Sequence, residues 1–471
     1  MAEFVPHPYQ ERAIQDVIDD PFHALFMEPG LGKTAIMLEA FRRMRRDLDV
    51  SRALVVAPLR VCYMTWPEEI AKWTQFRETR VSLIHGGPEA MAEAIEEDAN
   101  LYLINPEGLR WLFGQPNEKR TRWLPGPWRD WRNRPEMLVV DELTRFKRAS
   151  GVRSRTLKRS LGDFGRRAGM TGTPAPNGLL DLHGQLLVID RGEALDPRVT
   201  HYKRRFFVPV GDPRDDNWEP RPGSAEQIAD LIAPRVTRLD ARDYLDLPKR
   251  IVTEVPVILP DQAKVQYDRM RADGCVELAS GTEVIAVGDS AIGKCRQIAN
   301  GALYTRKPWE THRQYEILHL QKLEALQELI GEIGRPTMIA YEFLHDAEII
   351  KKGLPHVEVI GGGTSPRDAK RIADKWNAGV LPVLLIHPLS GGVGLNLQYG
   401  GNSLVWYSPP WDLEQFEQTV GRLERQGQPE SSVFVYFLVA RGTIDKRVVR
   451  VLQSKAATQT ALLDALKEEF E

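Results

Sequence analysis

Cysteine is scarce in this 471-residue chain: Cys62, Cys275 and Cys295 are scattered and form no CxxC pair. That spacing excludes a zinc ribbon or a disulfide framework and leaves ordinary core thiols of a reducing compartment. Long apolar runs are missing as well, since none approaches the roughly 18 residues a membrane span needs. The opening stretch MAEFVPHPYQ has no basic region followed by an apolar one, so it does not read as a secretory signal. A cytoplasmic protein without a membrane partner is expected. Net charge is nearly absent, at −2, so charge as a whole gives no argument for a nucleic-acid partner. Short-period repeats and low-complexity tracts are also lacking, which excludes solenoids and propellers.

What is present is a soluble globular balance, 42% hydrophobic and 27% charged. The length allows about two to four domains. Charge is unevenly spread: residues 110–167 are rich in arginine (KRTRW, WRDWRNR, RFKR, RSRTLKR) and poor in acids. Such a stretch either binds a phosphate backbone or forms a solvated face paired with acids elsewhere. Within it, 111–135 is dense in Trp and Arg. It reads as an insertion touching DNA or a partner, or as a loop whose tryptophans pack on the domain.

Two segments have the texture of α/β units. Over 20–190, the runs HALFM, ALVVAP, LYLIN, MLVVDE and RAGMTGT read as buried parallel strands with helices between. Over 315–445, TMIAY, VEVIGG, VLLIHP, SLVWYSP and VFVYFLVA repeat the pattern, and QKLEALQELIGEI and RDAKRIADKWNAG read as helices. The stretch DPRDDNWEPRPGS reads as a loop and YLDLPKR as an extended connector, with the boundary at 245/246. Two such units predict a cleft, with chemistry on the loops that follow the strands.

MEPGLGKT (27–34) follows an apolar run and precedes a helical pattern, the setting of a phosphate loop. Gly30 and Gly32 let backbone N–H groups turn toward phosphate, Lys33 would reach the β- and γ-phosphates, and Thr34 would ligate Mg²⁺. Met27 stands where the full pattern has its first glycine. MLVVDEL (137–143) ends a strand in two acids: Asp141 to hold Mg²⁺ through water, Glu142 to orient and deprotonate the attacking water. In HPYQ, an aromatic and an amide, Tyr9 and Gln10, can stack on and bond an adenine, or simply pack.

In order along nearly the whole chain, these blocks resemble helicase superfamily two, and specifically the Swi/Snf-type ATPases that translocate along double-stranded DNA. Gln10 matches the adenine-recognising glutamine, and EPGLGKT resembles motif I. VVAPLRVCYMTWPEEIAKW resembles motif Ia, LINPEGL motif Ib, VVDELTRFKR motif II and MTGTPAPNGLLDLHGQL motif III. RFFVPV, DYLDLPKR, QYDRM and CRQIANGALY resemble elements of the Swi/Snf subfamily. MIAYEFLHDAE and VIGGGTSPRDAKRIADKWNAG resemble motif IV and its sequel, and SGGVGLNLQYGGNSLVWYSPPWDLEQFEQTVGRLERQGQ covers motifs V and VI.

The resemblance implies an α/β fold of two RecA-like lobes, 1–245 and 246–471, each a parallel sheet flanked by helices, with helical insertions near 195–245 and 260–315. It implies an ATP hydrolase using ATP and Mg²⁺, with Tyr9, Gln10, Glu28, Gly30, Leu31, Gly32, Lys33 and Thr34 at the nucleotide. Lys33, Glu142, Gln418, Arg422 and Arg425 would serve catalysis, and Thr34 and Asp141 the metal. Arg422 and Arg425, spaced i and i+3, are expected on one helix face as arginine fingers. Double-stranded DNA is the implied partner, held by its backbone through Pro58, Leu59, Arg60, Asn105, Thr171, Gly361, Gly362, Gly363, Ser390 and Gly391. Thr144, Thr171, Gly172 and Thr173 would couple the two functions. Two departures stand out: Thr144 and Glu424 replace histidines usual in motifs II and VI.

The chain is expected to act as a monomer, with a DNA-bound protein or accessory subunit as a further partner. Its compactness points to a bacterial or phage-infected cell, near the nucleoid. Rival readings are a strand-separating DNA or RNA helicase, an ATP-gated clamp without hydrolysis, and an unrelated phosphate-loop kinase or transport ATPase. The intact Glu142, Arg422 and Arg425 oppose the clamp, and the motif III, V and VI segments oppose the unrelated enzyme.

Overall fold

A computed structural model describes residues 2–117, 121–211, 216–305, 314–354, 356–391 and 395–468. It divides into two compact units, 1–245 with 455–471, and 246–454. Among the described residues, no helix is long and apolar enough to cross a membrane.

The first unit is built on seven strands: β1 (Phe22–Met27), β2 (Ala53–Val56), β3 (Val81–Ile84), β4 (Leu101–Ile104), β5 (Met137–Asp141), β6 (Arg166–Thr171) and β7 (Val236–Leu239). Their spatial order is β7-β1-β6-β5-β2-β4-β3, and every neighbouring pair is parallel. β2 and β4 are buried along their whole length, which is why they read as unbroken apolar runs. Helices Pro8–Asp19, Lys33–Arg46, Trp66–Lys72 and Leu180–Asp190 are among those that accompany this sheet.

The second unit holds β8 (Lys249–Val257), β9 (Thr337–Ala340), β10 (Glu358–Ile360), β11 (Val383–Ile386), β12 (Ser403–Trp406) and β13 (Ser432–Ala440), in the order β8-β13-β12-β9-β11-β10. All its pairs are parallel too. The α/β class, with two parallel sheets flanked by helices, is therefore as expected.

Three strands are not apparent from the sequence pattern. β3 and β7 lie at the two edges of the first sheet and β8 at an edge of the second. β3 alternates between half-buried and buried residues and carries Ser82, whose hydroxyl donates to Ala94 O at 2.7 Å. β7 sits inside the stretch expected to be a helical insertion. Its Thr237 bonds both Asp16 Oδ2 at 2.6 Å and the His23 ring at 2.7 Å. β8 begins within the expected connector, and its outward residues are charged or half-exposed, as suits an edge. The rest of 195–245 holds three short helices and the hairpin Phe207–Pro209 with Trp218–Pro220. In 260–315, helices Asp261–Asp273 and Asp289–Asn300 pack with two small hairpins around Tyr267, Met270, Ile298 and Leu303.

The tryptophans of 111–135 are divided. Trp128 and Trp131 are buried and meet edge to face at 5.8 Å, and Trp128 donates to Asp163 Oδ2 at 2.9 Å. These two belong to the core of the first unit.

Candidate nucleotide site and nucleic-acid interface

Strands β1, β6 and β5 are neighbours, with Phe26 opposite Thr171 and Met170 opposite Asp141. At a spacing of about 4.8 Å per strand, the loop after β1 and the acids after β5 lie about 10 Å apart, with Thr171 between them. The carboxyl edge of one sheet thus gathers the glycine-rich loop, the two acids and Thr171.

The loop is set by backbone geometry. Gly30 and Gly32 have φ of 96° and 79°, a region that glycine alone enters freely. Gly32 precedes helix Lys33–Arg46, so the free N–H groups of that helix open onto the loop. Leu31 is fully buried and pins the loop down. Gln10 braces it: its Nε2 donates to Leu31 O at 3.1 Å, and its Oε1 accepts the His7 N–H at 2.9 Å. A Cβ on Gly32 would stand 2.6 Å from Gln10 Nε2, so this close approach requires glycine. Tyr9 is buried, its ring parallel to His7 at 5.6 Å and tilted to Tyr244 at 4.6 Å. Glu28 accepts the Ala241 N–H at 3.0 Å, a bracing contact from the loop to helix Ala241–Tyr244. Lys33 Nζ turns back onto Met27 O at 2.7 Å and Glu28 O at 3.1 Å, and a phosphate competes for it with those carbonyls. Thr34 is half-buried in the first turn.

Asp141 ends β5 with both carboxylate oxygens engaged. Oδ2 accepts the Trp66 indole N–H at 3.0 Å, and Oδ1 the Glu142 N–H at 3.0 Å. Burial pushes its carboxyl above the ordinary range, against these N–H groups and the Lys33 charge, which pull it down. A hydroxyl and a carboxylate are hard oxygen donors, and a buried carboxylate gains from a cation, so Thr34 and Asp141 suit Mg²⁺. Glu142 follows with φ 58° and ψ 63°, left-handed backbone at a non-glycine residue. Such a conformation costs about 1–3 kcal/mol and collects at functional sites.

Thr144 and Thr171 are each 1% exposed. The Thr171 hydroxyl accepts the Thr173 N–H at 3.2 Å. Thr171 is thus buried at the strand end between the loop and the acids. A Cβ on Gly172 would come 3.2 Å from Pro29, so the turn after β6 packs directly on the phosphate loop. Trp66 has no role in the sequence pattern beyond its place in motif Ia. Its one signal there is an indole on the first turn of the helix after β2.

The remaining DNA candidates also follow strand ends. Pro58, Leu59 and Arg60 follow β2, where Leu59 and Arg60 are half-buried and burial lowers the Arg60 guanidinium. Asn105 follows β4 and donates to Glu107 Oε2 at 2.9 Å. In the second unit, Gly361 follows β10, its N–H donating to Thr364 Oγ1 at 2.9 Å, while Gly362 and Gly363 are exposed. Ser390 and Gly391 end the short helix Pro388–Gly391 after β11, and their side chains lie outside the described residues.

Arg422 and Arg425 do not share a helix face. The helix Leu413–Val420 stops before them, capped at Gly421, and the chain continues in turns, with Arg422 N bonded to Thr419 O and Arg425 N to Leu423 O. The end of the helix at Gly421 breaks the periodicity that the spacing suggested. Both guanidinium groups still converge on one neighbouring segment: Arg422 Nη1 on Leu395 O at 3.2 Å, Arg425 Nη1 on Asn396 Oδ1 at 2.6 Å. Gln418 donates to Glu414 Oε1 at 3.2 Å. Glu424 is buried and receives Arg250.

Comparison with known proteins agrees with this geometry. Residues 23–313 match the model of the SNF2-related domain, and residues 321–427 that of the helicase conserved C-terminal domain. The chain is 33% identical over 482 residues to protein p41 of Acyrthosiphon pisum secondary endosymbiont phage 1, covering 99% of this chain and 100% of that one. It is 22% identical over 487 residues to the DNA repair and recombination protein RAD54-like of Gallus gallus, covering 93% of this chain and 63% of the relative. With the uncharacterised ATP-dependent helicase MG018 of Mycoplasma genitalium it shares 23% identity, over 91% of this chain and 39% of the relative. The chain thus spans the whole phage protein but under two thirds of the other two. The solved Sulfolobus solfataricus SWI2/SNF2 ATPase core in complex with dsDNA is similar at 19% identity and a TM-score of 0.43, over 98% of this chain and 94% of that one. On the family models and the phage relative, the chain belongs to the SNF2-related family of ATP-dependent enzymes.

Proposed function

We propose that this chain hydrolyses ATP to step along the phosphate backbone of double-stranded DNA, in the service of DNA remodelling, repair, recombination or replication. The observation that carries the reading is the alignment of the Gly30–Gly32 loop, Thr171 and the Asp141–Glu142 pair on three adjacent strand ends. The RAD54-like relatives are named as DNA repair and recombination proteins, which supports DNA as the track.

Lys33 leaves the Met27 and Glu28 carbonyls for the β- and γ-phosphates, and the N–H groups at the start of helix Lys33–Arg46 hold the same oxygens. Thr34 and Asp141 would hold Mg²⁺, which would supply charge neutralisation at the phosphates. Glu142 orients and deprotonates the attacking water. Arg422 and Arg425, exchanging the Leu395 and Asn396 oxygens for phosphate, stabilise the charge developing in the transition state. Gly172, packed on Pro29, passes a change at the loop to Thr171 and Thr173. Tyr9 and Gln10 recognise the adenine. Leu59, Arg60, Asn105, Gly362 and Gly363 read backbone and not bases, so sequence preference is slight.

The test is ATPase activity with duplex DNA, single-stranded DNA and RNA in turn, paired with displacement of a triplex-forming strand. Duplex DNA stimulates most and the third strand is displaced without unwinding of the duplex. Equal stimulation by all three polymers rejects duplex translocation, and unwinding of the duplex substitutes a strand-separating helicase.

A further inference from the structure

One hairpin within 111–135 does not join the core that takes Trp128 and Trp131. This hairpin, Gln115–Pro116 paired with Trp123–Leu124, stands over the helix Val152–Lys158. Between them opens a cavity of about 1010 Å³. Gly126 returns the chain from the hairpin so closely to the preceding helix that a Cβ there would strike the Trp111 and Leu112 carbonyls, which fixes the hairpin at its base.

The wall is charged with one sign. Arg110, Arg122, Arg155, Lys158 and Arg159 line the cavity, and among the described residues no aspartate or glutamate does. All five are exposed, and none forms an ion pair among the described residues. The contrast is on the same helix: Arg153, which does not line the cavity, is paired with Glu107 at 2.6 Å. Arg159 lies over the Trp123 ring at 4.2 Å, and the indole N–H is tied to Phe113 O at 3.3 Å. A stacked guanidinium keeps its planar donor edge fixed, ready for the fork geometry of a phosphate. The same cavity carries apolar wall from Pro116, Leu124 and Val152 and the amide of Gln115, while the Asn117 amide is bonded to Thr121 and Arg122 within the hairpin.

A solvated cationic face needs no enclosed volume and no apolar wall. A lone phosphate would occupy a small part of this one. A duplex is a stiff convex rod about 20 Å across, which offers such a cavity only its phosphate ridge. A single strand brings phosphates for the cations and unstacked bases for the apolar wall and the Gln115 amide. We propose that this cavity is a binding site for single-stranded nucleic acid, lined by residues other than those of the nucleotide site and the strand-end residues assigned to the duplex.

The experiment measures anisotropy of a labelled oligothymidylate of about twelve nucleotides, and of the same strand in duplex form, on the full chain and on Arg122→Glu and Arg155→Glu, across a salt series. Lysine variants at both positions serve as charge-keeping controls. Single-strand affinity falls at least tenfold in the glutamate variants, the lysine variants keep most of it, and duplex affinity changes less than threefold. Arg155→Ala lowers the slope of log affinity against log salt by about 0.7, the share of one neutralised phosphate on a single strand. Equal loss of duplex affinity overturns the proposal and makes the cavity part of the duplex track. Competition by polyglutamate that exceeds competition by the oligonucleotide overturns it in favour of an acidic protein segment. Unchanged single-strand binding in both glutamate variants leaves only a solvated basic face and overturns it as well.

Discussion

Arg250 Nε donates to Glu424 Oε2 at 2.5 Å while its two terminal nitrogens grip both oxygens of Glu417 at 2.9 and 2.8 Å. Burial alone would lower the guanidinium, but the carboxylates of Glu417 and then Glu424 outweigh it and hold it above its ordinary value. Arg250 is the second residue of β8, Glu417 lies in the last turn of helix Leu413–Val420, and Glu424 lies in the turns between Arg422 and Arg425. This gives Glu424 a structural role at the position where the resemblance implies a histidine. Here the position closes an ion-paired clamp that holds the arginine-bearing turns against the sheet.

Glu424→Ala leaves Arg250 with one carboxylate in a largely buried place. The expected cost is about 2 kcal/mol, below the value for breaking a fully buried pair because the Arg250 side chain keeps some exposure. Glu424→His costs a similar amount, since a neutral imidazole can accept from Arg250 but brings no negative charge to it. Urea unfolding of the two Glu424 variants measures these costs, and the cycle of Arg250→Met, Glu424→Leu and their double variant measures the coupling, where additivity would reject the clamp.

Trp66→Phe removes one N–H from Asp141 and little volume. Asp141 already keeps its proton to a higher pH than an ordinary carboxyl because burial dominates. The metal-holding carboxylate therefore forms only as pH climbs through that raised value, and loss of the hydrogen bond raises it further. The acidic limb of the Mg–ATPase pH profile moves up by about one pH unit, the scale of one hydrogen bond to a charged group. Stability follows the same sign: the folded chain holds this proton more tightly than the unfolded one, so the site's contribution declines as pH rises from the unfolded carboxyl's range toward the folded one. An acidic limb that stays in place would show that Trp66 only packs.

These two relationships mark where the sequence stops being legible. Buried strands announce themselves as unbroken apolar runs, and loops that follow them hold the chemistry, so Lys33 and Asp141 are readable. Edge strands are not: β7 buries Thr237 against Asp16 and His23, partners remote in the chain. Trp66 and Asp141 are 75 residues apart, and Arg250 and Glu424 are 174 apart, so spacing cannot pair them. The arginines mislead for a local reason, because helical spacing holds only until Gly421 ends the helix.

Glu142→Gln keeps the shape of the acid and removes its basicity. ATP affinity is retained and turnover falls by about 10²–10⁴, the range for a lost general base. Arg422→Ala also spares ATP affinity, and its rate loss extends toward about 10³–10⁵ if it acts as an arginine finger. Single-turnover hydrolysis beside equilibrium nucleotide binding separates the two. Normal turnover in Glu142→Gln would remove it as the base, and an unchanged rate in Arg422→Ala would remove the finger.

Lys322 tests the interior of the second unit. It is 0% exposed, and its ammonium donates to Asn300 Oδ1 at 2.8 Å, Tyr407 O at 3.0 Å and Asp445 Oδ2 at 2.7 Å. Three donors meet three acceptors, so the charge is fully satisfied. The Ala440 N–H also donates to Asp445 Oδ2, at 3.1 Å, and Asn300 passes its own N–H to Asp346 Oδ2 at 3.0 Å. One ammonium thus joins helix Gln321–Ile333, the end of β13, the start of helix Asp445–Glu468 and the loop after β12. Lys322→Met strands the Asp445 carboxylate in that interior and costs about 3–5 kcal/mol. Adding Asp445→Asn removes the stranded charge and returns part of the loss, because an apolar or neutral replacement of the whole pair is cheaper than half of it. Chemical unfolding of the single and double variants measures the recovery. If the double variant is less stable than Lys322→Met alone, the cost lies in lost shape and not in the unpaired charge.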